Sequence, residues 1–240
     1  MLISETERVQ LHAAFVLHYR PYRDSSLLLD VLTEHHGRIS LIAKGAKQEK
    51  SKFRGCTQPF QRLSLSWVRK LQLATLVDAE VVGKPLLFVG EEMYAALYLN
   101  ELLSRVLIHD EPVNDIFHAY ADALKQLNQV GISAALRAFE FSLLQSLGFE
   151  IQLDHDAAHA PISADLHYKY IPEHGFVVSR EKNVYLFNGR HIIGFRDKHF
   201  SDPNVLKVAQ RLMRVGLHKL IGDKPLKSRE LFRAYRQMRV

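Results

Sequence analysis

The period of apolar and polar positions changes along the chain. From residue 12 to residue 82 the pattern is that of β structure. HAAFVLHYR is short, apolar and aromatic, and Pro21 interrupts it. LLLDVLTEHHGRISLIAKGAK holds two strand-like runs around His35-His36-Gly37-Arg38, a hairpin turn. In FQRLSLSWVRK, Leu63, Leu65 and Trp67 alternate with Arg62, Ser64, Ser66 and Val68, the period of a half-buried strand, and LQLATLVDAEVV continues similarly. About five short strands in roughly 70 residues predict a small closed barrel, either an OB-fold or an SH3-like barrel. Gly83-Lys84-Pro85 ends this region.

Helical periodicity follows. EEMYAALYLNELLSRVL carries Met93, Leu97, Asn100, Glu101, Ser104 and Leu107 along one side, and Glu91 and Glu92 suit its positive N-terminus. VNDIFHAYADALKQLNQV is a second amphipathic segment. AALRAFEFSLLQSLG is a third, with Ser133 as its expected cap and Gly148 as its stop. Residues 150–200 are polar, with short strand-like runs in LHYKYIPEHGFVVS and NVYLFNG. From Pro203 two helical segments, VLKVAQRLMRVGLHKLI and SRELFRAYRQMR, flank a break at Gly222–Pro225. The chain therefore reads as an α+β multidomain protein. Its expected segments are a barrel at 1–83, a first helical part at 84–150, a small β insertion at 151–201 and basic helices at 202–240.

With 240 residues, 47% of them hydrophobic and 24% charged, the chain can bury a real core and is not a disordered polypeptide. No apolar run is long enough to cross a membrane as a helix. Acidic residues stand where an export signal needs basic ones, and Cys56 is the only cysteine, which predicts a reducing, cytoplasmic location without disulfides.

Charge sharpens the picture. Residues 1–83 hold 12 Lys and Arg against 8 Asp and Glu, residues 84–202 hold 10 against 16, and residues 203–240 hold 10 against 2. Basic ends around an acidic middle suggest a polyanionic partner; a solvated basic face is the plainer reading. Between residues 38 and 70, Arg38, Lys44, Lys47, Lys50, Lys52, Arg54, Arg62, Arg69 and Lys70 face a single acid, Glu49. Aromatic residues interleave with them. Cations neutralise phosphates, and exposed aromatic faces stack on unpaired bases with little sequence preference. Tyr22 and Phe53 sit in polar surroundings and are the expected stacking residues, whereas the alternation around Trp67 assigns it to the core. Arg20 and Arg23 flank Tyr22, and Arg211, Arg214, Lys224, Lys227 and Arg229 form a second basic group near the C-terminus.

Catalytic motifs do not emerge. There is no GxxxxGK[ST] or GxGxxG phosphate loop, no GxSxG elbow and no HExxH pair. His155 and His159 are four apart with His167 and His174 nearby, but Ala157, Ala158 and Pro161 disfavour a regular helix there, so no metal site is expected. Cys56 lies beside Arg54, yet no partner base can be placed for it. No cofactor is implied.

The run AFVLHYRPYRDSSLLLDVLTEHHGRISLIAKGAK resembles the N-terminal signature of the RecO family of bacterial recombination mediators. YLNELLSRVL and LRAFEFSLLQSLGF resemble the helical middle of that family, and GDKPLKSRELFR its C-terminal motif; the matches occur in family order. The resemblance implies an N-terminal OB-fold, a helical domain and a small irregular β insertion. It also implies binding of single- and double-stranded DNA, annealing of complementary strands, a cytoplasmic, nucleoid-associated location, and partnership with RecR and with the C-terminal tail of single-stranded DNA-binding protein (SSB). Many members carry a four-cysteine zinc site after the LGF segment. Here His155 and Ala158 stand near the first two ligand positions and no later cysteine follows, which points to the branch without zinc, its insertion ordered by packing around Tyr168, Tyr170, Phe176 and Val178.

The third helix offers a second site under this resemblance. Arg137, Phe141 and Leu144 are spaced i, i+4, i+7 and share a face, while Leu136, Phe139, Leu143 and Leu147 form another that can enter the core. An arginine beside exposed apolar residues suits an SSB tail, which ends in an aromatic ring and a carboxylate. The plainer reading is a helix buried on two sides. Together these observations predict a non-enzymatic DNA-binding and annealing protein. The competing reading is an assembly module whose basic face binds acidic proteins; a nuclease ranks third, since no acidic metal cluster accompanies the cations.

Overall fold

A computed structural model describes residues 6–70, 73–180 and 186–238. Its strands are β1 (Glu7–Tyr22), β2 (Ser26–Thr33), β3 (Gly37–Ala43), β4 (Arg62–Arg69), β5 (Ala74–Val81), β6 (His167–Ile171), β7 (Gly175–Val178) and β8 (Phe187–Asn188). Its helices are α1 (Glu91–Val106), α2 (Asn114–Leu127), α3 (Ile132–Ser146), α4 (Gly189–Arg196), α5 (Pro203–Ile221) and α6 (Lys227–Gln237). Two compact units result: residues 1–128 with 225–240, and residues 129–224.

In the first unit β1 to β5 close into a barrel in the order β1-β2-β3-β5-β4, with β4 returning to β1. Alternation explains its core: Leu63, Leu65 and Trp67 on β4 point inward beside Leu29, Val31, Ile39 and Leu41. Pro21 does not interrupt the first strand as its sequence suggests. It pairs with Leu27 on β2, and β4 has by then left β1, pairing only as far as Phe15, so the missing N–H is not needed by a second neighbour. The β2–β3 connection is the expected hairpin. Gly37 follows it at φ 65°, and a Cβ there would fall on the Glu111 carbonyl oxygen, so only glycine fits.

Helices α1 and α2 seal the barrel through a buried polar thread. Asn100 donates to the Leu17 carbonyl at 2.8 Å and accepts from the Tyr120 hydroxyl at 2.6 Å, while Phe15 packs against the rings of Phe117 and Tyr120. Burial pushes the Tyr120 phenol well above its ordinary value. Every buried polar atom of this thread must be matched, because an orphan costs about 1–3 kcal/mol. The last helix, α6, packs back on α1. The Glu101 carboxylate accepts from the Lys227 and Ser228 amides and the Ser228 hydroxyl at 2.7–2.9 Å, serving as an N-terminal cap supplied from another helix. Burial raises the Glu101 carboxyl, but those hydrogen bonds and Arg105 outweigh it and hold it below its ordinary value.

In the second unit α5 packs against α3 and α4. Gly216 lets α5 approach Leu144, and Gly194 lets α4 approach Val205; a Cβ at either position would collide. Ser133 is not the cap of α3: Gly131, at φ 94°, stands at the N-cap, and Ser133 is exposed in the first turn without a capping bond. Gly148 does follow the helix end, at φ 78°. The insertion is a three-stranded sheet in the order β7-β6-β8. Tyr168, Phe176 and Phe187 form its core, whereas Tyr170 is half-buried and Val178 is 43% exposed, outside that packing. Part of the NVYLFNG run, residues 183–185, lies outside the described residues. A carboxylate organises the loop before the sheet: Asp156 accepts from the Ala158 and Ala160 amides, both at 2.9 Å. Among the described residues, no group of three His, Cys, Asp or Glu is placed to hold a metal, and no helix is long and apolar enough to cross a membrane.

Candidate nucleic-acid interface

The predicted cations divide by what surrounds them. After β3 the chain crosses to β4 through a succession of turns, closed by amide-to-carbonyl bonds Gln48 to Gly45, Ser51 to Gln48, Arg54 to Ser51 and Cys56 to Phe53. Lys44, Lys47, Lys50, Lys52 and Arg54 all project from this crossover into solvent. Lys44, Lys47 and Lys50 form no ion pair among the described residues. Lys52 donates to the Val77 carbonyl at 2.6 Å and lies 5.2 Å from the Phe53 ring, and Arg54 reaches the Glu49 carbonyl at 3.5 Å. Carbonyl partners leave their charge uncompensated.

The β1–β2 turn joins this group. The Lys47 amide donates to the Ser25 carbonyl at 3.0 Å, and Leu27 pairs with Ala43, so the two connections lie side by side. Arg20 and Arg23 are exposed there. Arg23 stands over the half-buried Tyr22 ring at 5.3 Å, leaving Tyr22 a partly accessible face. Arg62 is exposed at the start of β4.

Other predicted residues are committed elsewhere. Phe53 is 3% exposed and sits in the barrel core with Cys56, so it has no free face to stack a base. Its spacing from Cys56 and Phe60, three and then four residues, was the available signal, because consecutive turns place such positions on one side. Burial pushes the Cys56 thiol up, and Asp78 and Glu80 add to the effect, so Arg54 does not activate it. Arg38 faces inward between the barrel and α1. It holds Asp30 at 2.8 Å and donates to the Ser104 and Leu107 carbonyls. Arg69 pairs with Asp110 at 2.6 Å and with Glu7 at 3.6 Å, and Lys70 is exposed beside it. In α6, Arg229 lies over the Tyr98 ring and bonds its hydroxyl at 3.1 Å, while Lys227 is exposed. In the second unit, Arg211 stands 4.3 Å over Phe187 and donates to the Leu186 carbonyl, whereas Arg214 and Lys224 are exposed.

The helix α3 site is only partly as expected. Arg137 pairs with Glu140 at 2.8 Å; the arginine side chain is 12% exposed and the glutamate 0%. Phe141 is half-buried against the Phe195 ring at 5.4 Å. Leu144 is fully buried toward Gly216 and offers no surface, because α5 occupies that side of α3. Sequence reading missed Glu140, the nearest competitor for any carboxylate approaching Arg137. An acid three residues from an arginine on a helix was the signal.

A closed five-stranded barrel with a cationic crossover, followed by helices, defines an OB-type domain in a multidomain chain. Residues 10–85 match the family model described as the N-terminal part of recombination protein O, and residues 88–230 match the model of its C-terminal part. The chain is 41% identical over 230 residues to the DNA repair protein RecO of Coxiella burnetii (strain CbuG_Q212), covering 94% of this chain and 99% of that protein. It is 41% identical over 220 residues to the RecO of Vibrio parahaemolyticus, covering 91% and 90%, and 40% identical over 225 residues to that of Yersinia enterocolitica, covering 92% and 93%. The chain belongs to the RecO family of DNA repair proteins.

Proposed function

We propose that this protein is a non-enzymatic recombination mediator of the cytoplasm and nucleoid. It binds single- and double-stranded DNA, anneals complementary strands, and acts with RecR on DNA coated by SSB. The observation that carries the reading is the crossover at Lys44–Arg54, whose exposed cations have no carboxylate partner among the described residues and adjoin Arg20, Tyr22 and Arg23. Such a surface takes phosphates from any sequence, releases their counterions, and lowers the repulsion between two strands brought together. Base pairing then supplies specificity, and no cofactor is required. Arg62, Lys70, Arg214, Lys224 and Lys227 extend the phosphate contacts. Arg38, Arg69, Arg211 and Arg229 support the framework, and Phe53 supports the crossover from within.

Arg137 with Phe141 is the proposed seat of the SSB tail, with Leu144 as packing behind it. A guanidinium can engage the terminal carboxylate bidentately, and the Phe141 ring provides an apolar wall. The competing reading, an assembly module for acidic proteins, uses the same cations. Annealing of complementary oligonucleotides by the purified protein, without ATP or metal, separates them: acceleration above the spontaneous rate is expected, and a rate equal to that of the oligonucleotides alone contradicts the mediator reading.

A further inference from the structure

One cluster of titratable side chains has no part in these functions. His12 on β1 and His35 and His36 in the β2–β3 connection meet around Trp67, the chain's single tryptophan. The His12 ring lies 4.9 Å from His36 and 5.7 Å from His35. Both His12 and His36 approach the indole edge-on, at 5.9 and 5.2 Å. Trp67 is 1% exposed, and its indole N–H has no hydrogen-bond partner among the described residues. The imidazoles are thus the lid over a large core residue.

We propose that His12, His36 and Trp67 form an acid-sensitive latch that holds the β2–β3 connection against the barrel and releases it when the imidazoles are protonated.

Like charges within 5 Å of each other repel, and a half-buried ring resists charging. His36 is held below its ordinary value by burial first and by His12 second, with Arg69 and His35 adding and Glu7 opposing. Around the cluster, β1 contributes Glu7, 3.7 Å from His36; β4 contributes Arg69, whose charge is shared between Glu7 and Asp110 of the α1–α2 connection. The β2–β3 connection contributes Glu34, which faces His35 at 4.0 Å and His118 of α2 at 3.3 Å. Both of those histidines are more than half exposed, so their contacts with Glu34 add little to the fold. Glu7, the acid paired with His36 among the described residues, also serves Arg69. The sign follows: the folded state prefers a neutral His36, so the latch is fully closed above the ordinary histidine value of 6.5 and weakens as pH falls below it. Beyond the rings, the Thr33 hydroxyl spans the connection, accepting from the His36 amide at 3.0 Å and donating to the Gly37 carbonyl at 2.8 Å, and the Glu34 amide donates to the Ala13 carbonyl of β1 at 3.0 Å.

Trp67 reports the event in the full-length protein. Its emission, followed from pH 8 to pH 5, should shift to the red with a midpoint below 6.5, and the double variant H12Q/H36Q should lose the transition while H35Q and H118Q keep it. Emission that merely dims without a red shift would show quenching by a charged ring without opening, and would overturn the latch; so would a flat profile. Should the double variant fold poorly, proton NMR of the unaltered protein decides: an imidazole titrating below 6.5 for His36, with Trp67 side-chain resonances moving in step, is required, and a His36 titration at or above 6.5 contradicts the proposal.

Discussion

Arg38 and Lys44 stand at the two ends of one short strand, and the molecule uses them in opposite ways. Arg38 meets a carboxylate and two helix-end carbonyls within reach of its planar fork, and ties the barrel to α1. Lys44, Lys47 and Lys50 project into solvent. The same division runs through the chain, with Arg69, Arg211 and Arg229 tied and Lys47, Lys50 and Arg214 projecting. A count of cations measures neither group. Partnered guanidinium groups strengthen the fold, and unpartnered ammonium groups remain available to a polyanion.

The division can be broken from the tied side first. Replacing Arg38 by Ala strands a half-buried Asp30 carboxylate and frees two carbonyls, and should cost about 3 kcal/mol of stability in urea unfolding. DNA affinity of the folded fraction should stay close to that of the unaltered protein. A variant of unchanged stability would return Arg38 to the binding surface. A smaller effect is expected at α3, where Arg137→Ala should weaken SSB-tail peptide binding by roughly 1.5–3 kcal/mol and Arg137→Lys should recover part of it. Calorimetry with the peptide checks this, and equal affinity for all three proteins would make Arg137 a purely structural partner of Glu140. The smallest effect is none at all. Asp156 ties the insertion loop through the Ala158 and Ala160 amides, and a chelator is expected to leave the melting temperature unchanged. A fall in melting temperature with release of one zinc per chain would contradict that.

Much of the barrel was legible because a half-buried strand repeats every two residues, and Leu63, Leu65 and Trp67 display that repeat plainly. The hairpin at Gly37 was equally plain. Phe53 was not, because an aromatic residue in a polar stretch looks exposed until the turns around it fold it inward. Leu144 failed differently. Helical spacing places it with Arg137, but only the packing of α5 reveals which side of α3 is covered. The cationic surface was visible as composition; its division into tied and free members depends on acceptors distant in sequence, such as Ser104, Leu107 and Asp110, and no local pattern carries that information.

The most direct test of that division is the salt dependence of single-stranded DNA binding by the protein and by the folded variant with Lys44, Lys47, Lys50 and Lys52 replaced by Ala. Each lost phosphate contact should reduce the slope of log affinity against log salt by about 0.7, and affinity should fall on unrelated sequences alike. An unchanged slope and affinity would contradict the account and move the DNA site away from the crossover.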